Sequence, residues 1–261
     1  MRLLVVLGST LVGLVVGSFL NVVVWRVPRG ESIVSPPSAC PRCGHPIRAY
    51  DNVPVVSWFV LHGRCRDCRA PISRRYPLVE ALTGALFALT ASFTGPSWAL
   101  PALLWLVGAG VALALIDLDV HRLPDAIVLP SYPVAAVLLG LASWNPGGTT
   151  AWPALLRALA GAAILLAAYV LMLVVYPAGM GFGDVKLAGV LGLYLGWFGW
   201  WPVVVGFFAP FFLGGLYAIG LVVTRRAGRK SGVPFGPWLI LGTWVGIVVG
   251  NLVGHWYLGL L

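Results

Sequence analysis

The chain has 261 residues, 59% of them apolar and only 10% charged, where a soluble domain carries about a quarter charged residues. Its formal net charge of +9 does not point to nucleic acid. Almost every Arg falls in a short segment between long apolar runs, as membrane topology demands.

In chain order, eight apolar segments are expected to span a bilayer: about 3–25, 79–95, 99–117, 126–143, 153–176, 185–198, 200–223 and 238–258. A span needs about 20 apolar residues, and the sixth is the shortest. Met1–Arg2 followed by Leu3–Trp25 has the outline of a secretion signal. Its apolar run is too long for one, and no small-residue cleavage site precedes the Arg-rich segment, so it is read as a retained first span. The runs are too long and uniformly apolar for barrel strands. In lipid that leaves helices, which satisfy their own backbone groups.

The long segment after the first span holds or borders Arg26, Arg29, Arg42, Arg48, Arg64, Arg66, Arg69, Arg74 and Arg75. With eight spans, Arg122, Lys186 and the run Arg225, Arg226, Arg229, Lys230 fall on the same side, whereas loops 95–100, 143–153 and 196–202 carry no Lys or Arg. Only Arg2 and Arg157 break the pattern. The positive-inside rule therefore puts the 27–77 loop in the cytoplasm and both termini outside. All eight acids (Glu31, Asp51, Asp67, Glu80, Asp117, Asp119, Asp125, Asp184) lie at or near that same side. Acids are costly beside spans, so their placement invites a functional reading.

Within the loop, Cys40-Pro-Arg-Cys43 and Cys65-Arg-Asp-Cys68 are two C-x-x-C pairs with 21 residues between them. Together they supply four thiolates for a closed tetrahedral zinc site. Two disulfides or four free thiols are the alternatives, and a reducing cytoplasm disfavours disulfides. With every position filled by sulfur, such a zinc would fold the loop and not hold a catalytic water. His45 and His62 read as ordinary loop residues.

Asp117 closes the third span in Ile116-Asp-Leu-Asp-Val-His-Arg-Leu-Pro-Asp125, and Asp184 opens the sixth in Gly179-Met-Gly-Phe-Gly-Asp184-Val-Lys186. Both would share one depth and could meet if their helices pack together. Two close carboxylates cannot easily both ionise and so share a proton. One can then act as base on a water attacking a peptide carbonyl while the other donates a proton. Gly179, Gly181 and Gly183 would let a second chain approach closely. Spacing alone leaves a plain turn capped by Asp184 open, and Asp119 and Asp125 read equally well as loop and cap residues.

Several strings together resemble the bacterial type IV prepilin peptidases. Gly17-Ser-Phe-Leu-Asn-Val-Val-Val-Trp-Arg-Val-Pro28 is similar to that family's first span. The Cys40–Cys68 loop, with Tyr50-Asp-Asn-Val-Pro54 and Gly63-Arg-Cys65, is similar to its cytoplasmic domain. Arg75-Tyr-Pro-Leu-Val-Glu80 resembles the start of its second span. Asp117 through Pro124-Asp125 and Gly181-Phe-Gly-Asp184-Val-Lys186 resemble its two aspartate motifs, and Pro234-Phe-Gly-Pro237 its late motif. The motifs run in one order from about residue 17 to 237.

The resemblance implies an all-α polytopic protein of the bacterial inner membrane. Its parts would be a first helix (1–26), a cytoplasmic zinc-binding four-cysteine loop (27–78) and transmembrane aspartic peptidase helices (79–261). It implies an endopeptidase of the Gly-x-Gly-Asp type that removes the leader from prepilins and pseudopilins at the cytoplasmic face, in pilus assembly or type II secretion. Asp117 and Asp184 match the catalytic pair, with Asp119 the competitor for the first role. Gly181, Gly183, Lys186, Pro124 and Asp125 are supporting positions. Members with the cysteine loop often also methylate the new N-terminus from S-adenosylmethionine. Glu80 and segment 48–57 are the places to look for that activity, although Glu80 reads as readily as a snorkelling acid. The Arg residues are expected to set topology and touch anionic headgroups. A transporter or sensor is the competing class, but it needs ionisable groups near the bilayer midplane, and the span centres hold none.

Overall fold

The computed structural model describes residues 1–224 and 234–260. The basic run Arg225, Arg226, Arg229 and Lys230 lies outside them. The described residues are helical with no strand: α1 (Arg2–Arg26), the short α2 (Val56–Val60), α3 (Arg75–Thr94), α4 (Leu100–Val120), α5 (Asp125–Trp144), α6 (Trp152–Val175), α7 (Phe182–Phe198), α8 (Trp200–Val223) and α9 (Gly236–Leu258). Every expected span is a helix. Seven are long and apolar enough to cross a membrane, and the protein is a multi-pass membrane protein.

The remaining expected span is α7, with 17 residues. At 1.5 Å per residue it is about 25 Å long, below the roughly 30 Å hydrocarbon core. Its burial explains why that suffices. Val185 and every residue from Leu187 to Gly196 are buried, so α7 meets protein, and lipid thickness does not set its length.

Three boundaries differ from the sequence expectation. α3 starts at Arg75 and α7 at Phe182, because polar residues at helix starts still make intrahelical bonds that hydropathy ignores. α4 runs on to Val120, so Asp117 sits almost one turn inside the helix. Pro130, Pro133 and Pro210 lie within helices, tolerated because neighbouring helices can offset the lost backbone bonds.

The chain forms two compact units, Met1–Ala112 and Leu113–Leu261, with α4 contributing to both. In the first, α1 packs against α3. A Cβ on Gly13 would lie 2.9 Å from the Gly84 Cα, and one on Gly17 2.7 Å from the Glu80 Cα. Asn21 Nδ2 donates to the Tyr76 carbonyl at 3.3 Å. Rising numbers in α1 meet falling numbers in α3, so the pair is antiparallel. Small residues allow this approach where lipid supplies no hydrophobic drive. In the second unit α6 and α7 meet the same way: a Cβ on Gly192 would lie 2.5 Å from the Gly161 carbonyl, and Gly196 abuts the Arg157 carbonyl. α8 and α9 also run antiparallel, Gly242 against Pro210 and Gly250 against Pro202.

Candidate active site and metal centre

The two C-x-x-C turns are copies of one fold, 25 positions apart. In the first, Gly44 N–H donates to the Cys40 carbonyl at 2.9 Å, Cys40 N–H to His45 at 3.0 Å and Ile47 N–H to Ser38 at 2.8 Å. In the second, Arg69 donates to Cys65 at 3.0 Å, Cys65 to Ala70 at 2.8 Å and Ile72 to Gly63 at 2.7 Å. Ala39 bridges Pro46 as Arg64 bridges Pro71. The residue after each second cysteine is left-handed, Gly44 at φ 72° and Arg69 at φ 58°. Serine-38 to Ile47 (SACPRCGHPI) and Gly63 to Ile72 (GRCRDCRAPI) share Cys, Cys, Pro and Ile in register, a repeat that sequence reading missed.

All four thiols are free, and their Sγ atoms lie within 4.8 Å of one another. Cys40 and Cys68 Sγ are 3.8 Å apart. A tetrahedral zinc with bonds of about 2.3 Å needs sulfurs about 3.8 Å apart, so the cluster fits such an ion. Two reciprocal ion pairs clamp the second turn. Arg66 forks onto Asp51, at 2.8 Å from Nε and 2.5 Å from Nη2, and Arg48 meets Asp67 at 3.2 Å. The hydrogen bonds from Arg66 hold the Asp51 carboxyl below the usual carboxylate range.

A buried side chain of α3 holds the loop. The Val55 N–H donates to Glu80 Oε2 at 2.7 Å, and Glu80 is 8% exposed. Glu80 and segment 48–57, named together from the sequence, are thus in contact, and Glu80 does not snorkel to solvent.

In the second unit, Asp117 near the end of α4 and Asp184 in the first turn of α7 are close enough for their charges to interact. Asp117 is 5% exposed, and its Oδ2 accepts the Gly236 N–H at 2.9 Å. Asp184 Oδ2 accepts the Gly181 N–H at 3.1 Å. Asp184 is therefore a helix cap as well as a member of the pair, and the dipole of α7 favours its charge. His121, which follows α4, and the buried Tyr169 of α6 lie within electrostatic reach of Asp117 and Asp184 respectively.

Gly183 brings the connector after α4 against α7: a Cβ there would lie 3.0 Å from Leu123 Cβ. Gly181 has ordinary space and φ −80°, so its use here is the N–H and not glycine's freedom. Lys186 Nζ reaches both Asp125 oxygens, at 2.7 and 2.8 Å. Tyr132 OH donates to the Lys186 carbonyl at 2.7 Å. Pro124 caps the start of α5. Together these join the segment following Asp117 to the helix carrying Asp184. Asp119 is exposed and Asp117 is buried, so geometry sets them apart. In the sequence Gly236 and Leu123 stood within motifs and had no role, and Tyr132 and Tyr169 carried no signal at all.

The fold and these two sites define a polytopic helical membrane protein with a four-thiol cluster in one unit and a carboxylate pair in the other. Residues 11–93 match the bacterial peptidase A24 N-terminal domain and residues 102–219 the type IV leader peptidase family. The chain belongs to the type IV leader peptidase family. It is similar to proteins named prepilin leader peptidase/N-methyltransferase. That of Aeromonas hydrophila is 37% identical, over 95% of this chain and 92% of its own. That of Pseudomonas aeruginosa is 36% identical, over 97% and 93%. That of Burkholderia pseudomallei is 39% identical, over 90% and 82%. No solved structure matches the chain.

Proposed function

We propose that this protein is an aspartic endopeptidase of the bacterial inner membrane that cleaves the leader from type IV prepilins or pseudopilins, with Asp117 and Asp184 as its catalytic pair. The observation that carries this reading is two carboxylates within electrostatic reach, one near the end of α4 and one in the first turn of α7, each with one oxygen held by a backbone N–H. One carboxylate takes a proton from a water as its oxygen attacks the scissile carbonyl, and the other gives a proton to the carbonyl oxygen. Collapse of the tetrahedral intermediate breaks the C–N bond: the carboxyl that took the water's proton gives it to the departing amine, and the other recovers its proton from the intermediate's hydroxyl. The distribution of Lys and Arg supports an active site facing the cytoplasm and termini outside.

Cys40, Cys43, Cys65 and Cys68 would hold one structural zinc. The ion supplies cross-linking that orders the loop and takes no part in peptide hydrolysis. A second activity, methylation of the new N-terminus with S-adenosylmethionine as methyl donor, is favoured by the shared name of the relatives. Glu80 and segment 48–57 are where its determinants are sought. One Glu80 oxygen already accepts the Val55 N–H, so Glu80 also anchors the loop.

Co-expression with candidate prepilins from the same genome, followed by mass spectrometry of the pilin N-terminus, tests both activities. A shortened, methylated product is expected. Intact leader in every client overturns the peptidase, and a shortened but unmethylated N-terminus removes the second activity alone.

A further inference from the structure

The first turn of α9 is arranged so that one backbone donor faces Asp117. Helix starts leave their first N–H groups without intrahelical partners. Here Trp238 and Leu239 direct their N–H groups to the Phe235 carbonyl at 3.0 and 3.1 Å, and Pro237 has none. Gly236 N–H is left, and it donates to Asp117 Oδ2 at 2.9 Å in a buried bond. The backbone can come this close because residue 236 lacks a side chain. A Cβ there would lie 2.9 Å from Asp117 Oδ2 and 3.1 Å from Leu123 Cδ2. Asp184 is held alike, its Oδ2 accepting the Gly181 N–H. Each aspartate therefore has one oxygen fixed by a backbone N–H at the start of a helix.

We propose that Gly236 is a positioning residue of the peptidase reaction: its N–H fixes Oδ2 of Asp117 and leaves Oδ1 to work on water and substrate. The proposal rests on the reading of Asp117 and Asp184 as the catalytic pair. It gives the Pro234–Pro237 motif a task. Phenylalanine-235 supplies the carbonyl that absorbs the next donors, Gly236 the donor and the room, and Pro237 the absence of a rival N–H.

The test is steady-state cleavage of a purified prepilin by the full-length protein in nanodiscs, with kcat and KM measured separately. Gly236→Ala should lower kcat by at least about tenfold, the scale of a lost hydrogen bond to a charged group, with KM held within about twofold. Adding Leu123→Ala removes the other contact a Cβ would meet, and the double variant should stay as slow. Recovery of wild-type kcat there would make the defect one of Leu123 packing and overturn the proposal.

Because Gly236→Ala can fail to fold, the deciding variant adds no atom. Cell-free synthesis with glycolic acid at position 236 replaces the N–H by an ester oxygen, and kcat should again fall at least about tenfold. The control is leucic acid at position 239, which removes a donor to Phe235 but none to Asp117, and it should keep near-normal kcat. A wild-type kcat with the 236 ester, or an equal loss with the 239 ester, sinks the proposal. Asp117→Asn and Asp184→Asn are run in parallel. Full activity in either removes the catalytic-pair reading itself, whereas inactive aspartate variants beside an unimpaired 236 ester remove only the role of Gly236.

Discussion

In the four-cysteine loop each ligand-bearing turn closes on itself. Cys40 bonds His45 and Gly44 bonds Cys40, all within six residues, and the second turn repeats the pattern. Around the aspartates, by contrast, only the bond from Gly181 N–H to Asp184 is local, and the contacts that join the helices are distant in sequence. Asp117 lies within electrostatic reach of Asp184 and accepts from Gly236, and Lys186 meets Asp125. A local site can form wherever its own segment folds and a metal is present. A site of distant parts exists only once α4, α7 and α9 have packed. The two regions should therefore fail in different ways.

The largest expected effect is at the distant site. Asp117→Asn and Asp184→Asn should each lower prepilin cleavage by at least about a thousandfold, the upper range of lost acid–base catalysis, with insertion in the membrane unchanged. Asp119→Asn, at an exposed position, should stay near the wild-type rate. Gel separation of precursor and product reads all three, and an active Asp117→Asn beside an inactive Asp119→Asn would exchange their roles.

Next comes removal of the metal. Freshly purified reduced protein should contain about one zinc per chain, expected from a single closed four-thiolate site. Cys65→Ser or a strong chelator should release it and expose segment 27–77 to protease. Hydrogen exchange in α6 to α9 should be unaltered. A matching loss of protection there would erase the distinction between the regions.

A smaller effect separates the glycines before Asp184. Gly183→Val pushes on Leu123 and should reduce kcat/KM about tenfold, on the order of the 1–3 kcal/mol cost of overpacking. Gly181→Ala keeps its N–H and meets only ordinary contacts, so its rate should stay within about threefold, a change of less than about 1 kcal/mol. Equal losses at both would show that glycine flexibility, and not close approach, is what the motif needs.

The smallest effects lie in the paired turns. Gly44→Val forces a branched residue into a left-handed conformation and should cost the loop about 1–2 kcal/mol. Arg69→Gly relieves the same strain at the equivalent position and should be neutral or stabilising by up to about 1 kcal/mol. Loop unfolding followed by zinc release in denaturant measures both. A stabilised Gly44→Val would mean that the turns are not equivalent.

By itself the sequence determined the helices, because span length and apolar content follow from bilayer thickness. It also determined the cysteine cluster, since two C-x-x-C turns carry their geometry in a few adjacent residues. The repeat of the two turns stood in the matching Cys, Cys, Pro and Ile positions but went unread until the backbone showed it. It marked Asp117 and Asp184 through motifs in the order found in the family, not through spacing. Packing decided what no local pattern encodes: that short α7 is buried, that Glu80 accepts the Val55 N–H, that Gly183 receives Leu123, and that Gly236 donates to Asp117. Those contacts join residues from 25 to 119 positions apart. Hydropathy, capping and turn propensity act over a few residues, so only the assembled helices bring such partners together.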